Sequence, residues 1–162
     1  MDVKITLNGK VVTDSVDADM VLLDFCRKHR CYSVKRGCES GNCGLCTVLL
    51  DGKPVLSCST PVGRANGRKV DTLEGLQEEA KAFTNFFAAQ GADQCGFCNP
   101  GYIVNIVALL RENPDPTDEE ILEYLDYECA NGMEETDVRP GIMKCAVDLR
   151  GITDYIVKML GV

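Results

Sequence analysis

The chain has 162 residues, room for one domain or two small ones, and 45% of them are hydrophobic, which is enough to build a core. The formal net charge is −8, which argues against nucleic acid and for docking on proteins with complementary patches. The opening MDVKITLNGKVV has no basic segment followed by an apolar stretch, so it does not read as an export signal. No run approaches the roughly 18 apolar residues of a membrane span, so no membrane insertion is expected. Without export, ten cysteines argue for metal rather than disulfides, and the expected compartment is the cytoplasm.

Val3, Ile5 and Leu7 alternate, and Asn8-Gly9 turns the chain toward Val11-Val12, a hairpin with a type I′ turn. Asp19 is a candidate N-cap for a helix that places Val21, Leu22 and Phe25 on one face. A glycine-rich cysteine loop follows over residues 37–46. Residues 47–50 and 55–58, joined through Asp51-Gly52, read as a second hairpin, and residues 69–72 as a last short strand. The result is a small mixed sheet with one crossing helix, ending near residue 73.

The pattern then becomes helical. Leu76, Ala80, Phe83 and Phe87 recur at helical spacing. Asn99-Pro100 predicts an N-cap followed by proline at the first helical position. That helix carries Ile103, Ile106, Val107 and Leu110 and stops at Asn113-Pro114-Asp115-Pro116. Thr117 and Glu120 form a capping box ahead of Ile121, Leu122 and Leu125. Leu149, Ile152, Ile156 and Met159 mark a fourth helix. Two cores of roughly 75 residues each are marginal by size, and a metal group in each half would supply stability, because ligation is coupled to folding.

Eight of the ten cysteines fall into two sets of four. The first reads Cys38-Glu-Ser-Gly-Asn-Cys43-Gly-Leu-Cys46, closed by Cys58. Its C-x4-C-x2-C run is the spacing of a plant-type [2Fe–2S] loop. Gly37, Gly41 and Gly44 let the backbone wrap tightly and aim N–H groups at sulfur. A structural zinc site is the competing reading, but it ordinarily pairs two C-x2-C knuckles, whereas the first gap here is four residues. The second set opens with Cys95-Gly-Phe-Cys98 and is completed only by Cys129 and Cys145. Taken alone, the Cys95/Cys98 pair is open among redox thiol, zinc ligand and cluster ligand.

His29 is the one histidine, which excludes a two-histidine Rieske centre, and it reads as a solvated helix residue. Thr47 and Asn99 follow the two Cys-x-x-Cys pairs, which excludes c-type haem attachment. Cys26 and Cys31 read as a half-buried and an incidental cysteine. With one histidine, no nucleotide-binding glycine fingerprint and no nucleophile–base pair, no catalytic residue is expected, and the acidic stretch 115–120 reads as a helix N-terminus.

The string Val34-Lys-Arg-Gly37-Cys38-Glu-Ser-Gly-Asn-Cys43-Gly-Leu-Cys46-Thr47-Val48, continued by Asp51-Gly52-Lys53-Pro54-Val55 and Ser57-Cys58, resembles the small iron–sulfur subunit of the molybdenum hydroxylase family. That family includes xanthine dehydrogenase, aldehyde oxidoreductase and aerobic-type carbon monoxide dehydrogenase. Leu22-Leu23-Asp24-Phe25, Thr72-Leu73-Glu74-Gly75-Leu76, Gln94-Cys95-Gly96-Phe97-Cys98-Asn99-Pro100-Gly101 and Asn113-Pro114-Asp115-Pro116-Thr117 fit too, so the resemblance covers nearly the whole chain.

The resemblance implies an α+β chain. Residues 1–74 would form a β-grasp ferredoxin-like domain, and residues 75–162 a four-helix bundle holding a second [2Fe–2S] cluster. It implies electron relay in an oxidoreductase complex, from a molybdenum–pterin site in a large subunit through both clusters to FAD, usually on a third subunit. This chain alone would not turn over substrate. Gln94 matches a position beside the pterin. Two departures stand out: Cys129 and Cys145 are separated by residues 130–144 where the family has a tight Cys-Arg-Cys, and Asn99 replaces a common threonine. The alternatives are a free-standing ferredoxin-like carrier and a zinc-stabilised binding module.

Overall fold

The computed structural model describes residues 1–41, 43–90, 95–117 and 120. Strand β1 (Asp2–Leu7) alternates as the sequence predicts, with Val3, Ile5 and Leu7 buried. It pairs antiparallel with β2 (Lys10–Ser15) through a two-residue turn in which Asn8 and Gly9 both take positive φ, as a type I′ turn requires. Strand β2 is one edge of its sheet and keeps mostly exposed side chains, Lys10 among them, a composition that discourages further strand pairing.

Helix α1 (Leu22–Lys28) buries Leu22, Leu23, Phe25 and Cys26. Asp19 is not its cap. The N-cap is Val21, held extended by a bridge to Pro61, and the N–H of Leu22 donates to the carbonyl of Thr60 at 2.8 Å. A tertiary contact thus satisfies a helix-start donor that the sequence reading assigns to a side chain.

Strands β3 (Thr47–Leu50) and β4 (Lys53–Leu56) form the second hairpin, and β5 (Lys69–Asp71) completes a five-stranded sheet of order β2-β1-β5-β3-β4. The β1–β5 pair is parallel and the other pairs are antiparallel. After β4 the chain does not remain extended as far as Cys58 but turns as a 3-10 helix over Ser57–Ser59.

Helices α2 (Gln77–Gln90) and α3 (Asn99–Glu112) lie on the other side of β3. All four β3 residues are buried. Val48 and Leu50 join the core around Phe25, while Leu49 joins the one formed by Leu76, Ala80, Phe83, Ile103, Ile106 and Val107. The predicted apolar positions Leu76, Ala80 and Phe83 leading into and along α2, and Ile103, Ile106, Val107 and Leu110 on α3, are therefore among those that pack, while the Phe87 side chain lies outside what the structure describes. Asn99 sits one place inside its helix, with Cys98 as N-cap. The capping box is formed as read: Thr117 N donates to Glu120 at 2.8 Å and Glu120 N to Thr117 Oγ1 at 3.3 Å. The apolar positions from Ile121 onward lie outside the described residues. Among the described residues no helix is long and apolar enough to cross a membrane.

Candidate metal centre

The four thiols of the first set come from three segments. Cys38 and Cys43 sit on the loop, Cys46 immediately precedes β3, and Cys58 lies in the 3-10 turn after β4. The β3–β4 hairpin brings the last two together: Ser57 N and Oγ both donate to the carbonyl of Cys46, at 3.3 and 2.6 Å. The loop closes on itself, with Cys43 N donating to Cys38 Sγ at 3.4 Å. Gly41 and Gly44 have φ of +73° and +68°, a conformation that glycine adopts without strain. At Gly37 space is tight: a Cβ there would meet Leu45 Cδ1 at 2.5 Å and Cys43 Sγ at 3.1 Å, so the Leu45 side chain would have to shift.

The thiols interact two and two, Cys38 with Cys43 and Cys46 with Cys58, and Cys43 also repels Cys46. Among the described residues, no three His, Cys, Asp or Glu side chains gather as ligands of one ion would. Burial first, and the neighbouring Cys38 and Cys58 thiols with it, push the Cys43 thiol up to about 11 and the Cys46 thiol up to about 12. Backbone N–H groups of Leu45 and Gly37 oppose the rise at Cys43, as that of Cys58 does at Cys46. A half-buried thiolate set of this kind needs cationic partners to remain deprotonated. Two irons, each taking two thiolates, match both the charge requirement and the pairing.

In the second set, Cys98 is buried at the start of α3 and Cys95 is exposed, with Gly96 between them at φ +67°. Gln94, Cys129 and Cys145 lie outside the described residues, as does the 130–144 segment. Cys26 and Cys31 are more buried than the sequence reading expects, at 0% and 4% exposure. Burial, with Cys31 nearby, raises the Cys26 thiol strongly, as suits an inert core residue. His29 is partly buried rather than freely solvated. Its Nε2 lies 2.9 Å from Asp14 Oδ2, and its ring packs on Phe25 with centroids 4.5 Å apart.

The sequence reading missed two features. The first is an anchor for the stretch that leads into the cluster loop. Ser33 N and Oγ donate to Glu74 at 2.8 and 2.5 Å, Thr72 Oγ1 also donates to Glu74, and Asn8 Nδ2 donates to Thr72 Oγ1 at 2.9 Å. The Thr72-Leu73-Glu74-Gly75 string is visible in sequence, but its partner 41 positions away is not. The second feature is the fit of α3 against the loop, where Gly101 faces Gly44 and Leu45.

Two family profiles match. One described as a 2Fe-2S iron-sulfur cluster binding domain covers residues 5–76, and one described as a [2Fe-2S] binding domain covers residues 72–133. The chain is 43% identical over 122 residues to the nicotinate dehydrogenase small FeS subunit of Eubacterium barkeri, covering 74% of this chain and 78% of that one. Its fold matches aldehyde oxidoreductase from Desulfovibrio gigas with a TM-score of 0.77 at 33% identity, covering 99% of this chain and 17% of that one. It matches a chain of quinoline 2-oxidoreductase from Pseudomonas putida 86 with a TM-score of 0.76 at 32% identity, covering 99% and 95%.

Proposed function

The chain belongs to the iron–sulfur small-subunit family of the molybdenum hydroxylases, and from that membership we propose that it holds two [2Fe–2S] clusters and relays electrons out of a molybdenum–pterin subunit. The observation that carries the reading is the convergence of the cysteine loop with the turn after β4, where Cys43 N donates to Cys38 Sγ and Ser57 N and Oγ both donate to the Cys46 carbonyl beside Cys58. Cys38, Cys43, Cys46 and Cys58 hold the first cluster. Cys95, Cys98, Cys129 and Cys145 hold the second.

A bound cluster supplies a reversible one-electron site. This chain's residues shape that site. The N–H groups of Gly37, Leu45 and Cys58 face sulfur and favour the added negative charge of the reduced form. Glu74 fixes Ser33, and Lys35 N donates to the carbonyl of Leu45 at 3.2 Å, which ties the entry of the loop to its exit. Substrate chemistry belongs to the large subunit. Residues 1–74 serve as the ferredoxin-like domain and 75–162 as a four-helix unit, with Gln94 beside the partner's pterin. Electrons leave toward FAD on a third subunit, in the cytoplasm.

Anaerobically purified chain is expected to carry about four iron and four sulfide, with two distinguishable EPR signals on reduction. Zinc in place of iron, with no sulfide, would overturn the reading in favour of a zinc-stabilised module. Co-purification with a molybdenum-containing large subunit separates a dedicated subunit from a free-standing carrier.

A further inference from the structure

The start of α3 does not merely lie near the first cysteine loop; it is fitted to it. A Cβ on Gly101 would stand 2.8 Å from Leu45 Cα and 3.1 Å from both the Gly44 carbonyl oxygen and the Leu45 carbonyl carbon. The atoms it would strike are backbone, so the helix or the loop would have to move. One turn later, Asn105 is 5% exposed and its Nδ2 donates twice, to the carbonyl of Gly101 at 3.1 Å and to Thr47 Oγ1 at 3.4 Å. Thr47 Oγ1 in turn donates to the carbonyl of Gly44 at 2.7 Å. Asn105 Oδ1 is buried with no hydrogen-bond partner among the described residues. Leaving such an atom unbonded is costly, a cost that an apolar residue at this buried position would avoid. At the outer end of the seam the ammonium of Lys35 sits 5.8 Å from the centre of the Phe97 ring, between Cys95 and Cys98.

Three contacts thus join Phe97 and the first turns of α3 to Lys35, to Gly44-Leu45 and to Thr47 in and around the first cysteine loop, and the central one requires the absence of a side chain. We propose that Gly101 and Asn105 are positioning residues that set the separation and orientation of the two cysteine sites. Gly101 lets the helix backbone reach van der Waals contact with the loop between Cys43 and Cys46, and Asn105 fixes the rotation of the helix on that contact. The proposal rests on the two-cluster reading and goes beyond it by naming what holds the two sites at one distance.

The test uses the full chain reduced with dithionite. Iron and sulfide content is measured first, and then the low-temperature EPR splitting that arises when two reduced clusters couple through space. This coupling falls with the cube of the distance and depends on orientation, whereas a loss of stability alone leaves it unchanged in the folded fraction. Gly101→Ala is expected to retain both clusters and show a narrower splitting. Asn105→Ala, which removes bonds without adding bulk, is expected to retain both clusters and broaden the splitting, and it stands as the readout if Gly101→Ala does not load iron. Full loading with wild-type splitting in Asn105→Ala, and in Gly101→Ala where it loads, would overturn the positioning role while leaving the two-cluster reading intact. A wild-type chain with fewer than two clusters would overturn both.

Discussion

Glu74 illustrates how a single carboxylate can hold a loop from outside it. Partial burial disfavours its charge, but hydrogen bonds from Ser33 and Thr72 outweigh that effect and hold its pKa below the ordinary value. Because the folded pKa is depressed, the stabilisation is present above the unfolded value and is lost as pH falls through the folded one. Glu74→Gln is therefore expected to lower stability at neutral pH by about 1 kcal/mol, a figure discounted for the exposure of the side chain. The deficit should shrink toward zero in acid below the ordinary carboxylate range, as read from urea midpoints across that window. A deficit independent of pH would show that shape, not charge, is what Ser33 requires. At Cys43, replacement by serine is expected to halve iron and sulfide from about four to about two per chain. The EPR signal of the second cluster should remain, because Cys95 and Cys98 lie on a separate segment. Loss of both signals would show that the second site cannot form without the first loop in place.

At the scale of elements, β3 is the member on which both halves depend. Its alternation sends Val48 and Leu50 to the α1 side and Leu49 to the α2–α3 side, and Leu49 is fully buried. Leu49→Ala is expected to cost about 2–5 kcal/mol. The cost should appear equally in a helix-weighted probe and in bleaching of cluster absorbance. If only the helical signal shifted, α2 and α3 would be shown to fold apart from the sheet. The bond between Arg111 and Glu79 ties α2 to α3 in a similar way, but both side chains are well exposed. A double-mutant cycle there is expected to return only about 0.2–1 kcal/mol.

For the whole molecule, ligation and packing reinforce one another. The first loop is glycine-rich, and burial and neighbouring cysteines disfavour the thiolate forms of Cys43 and Cys46. Removing iron should therefore leave these thiols protonated and remove the ligation that ties the loop to the fold around it. Chelation under reducing conditions is expected to lower Tm by many degrees and to expose Phe25 and Leu49 together, read by calorimetry and hydrogen exchange. An unchanged Tm would mean that the apolar cores on either side of β3 stabilise the chain without the metal.

Much of this was legible without coordinates because it depends on local chemistry. The C-x4-C-x2-C spacing, the Asn8-Gly9 turn, the period-2 burial of β1 and the apolar stripes of α2 and α3 each follow from neighbours within a few positions, and the sequence determined them alone. The same locality explains the errors. Asp19 looked like a cap because a capping serine, threonine, asparagine or aspartate is a local signal, yet the donor at Leu22 is satisfied by Thr60, which lies far along the chain. Cys26 looked half-buried and Cys31 incidental, yet both are buried, because burial is a property of packing, not of spacing. Tertiary structure alone decided that β3 is buried on both faces, that Glu74 reaches back to Ser33, and that Gly101 must lack a side chain. Each of these joins residues dozens of positions apart, and no periodicity within either partner encodes the distance between them.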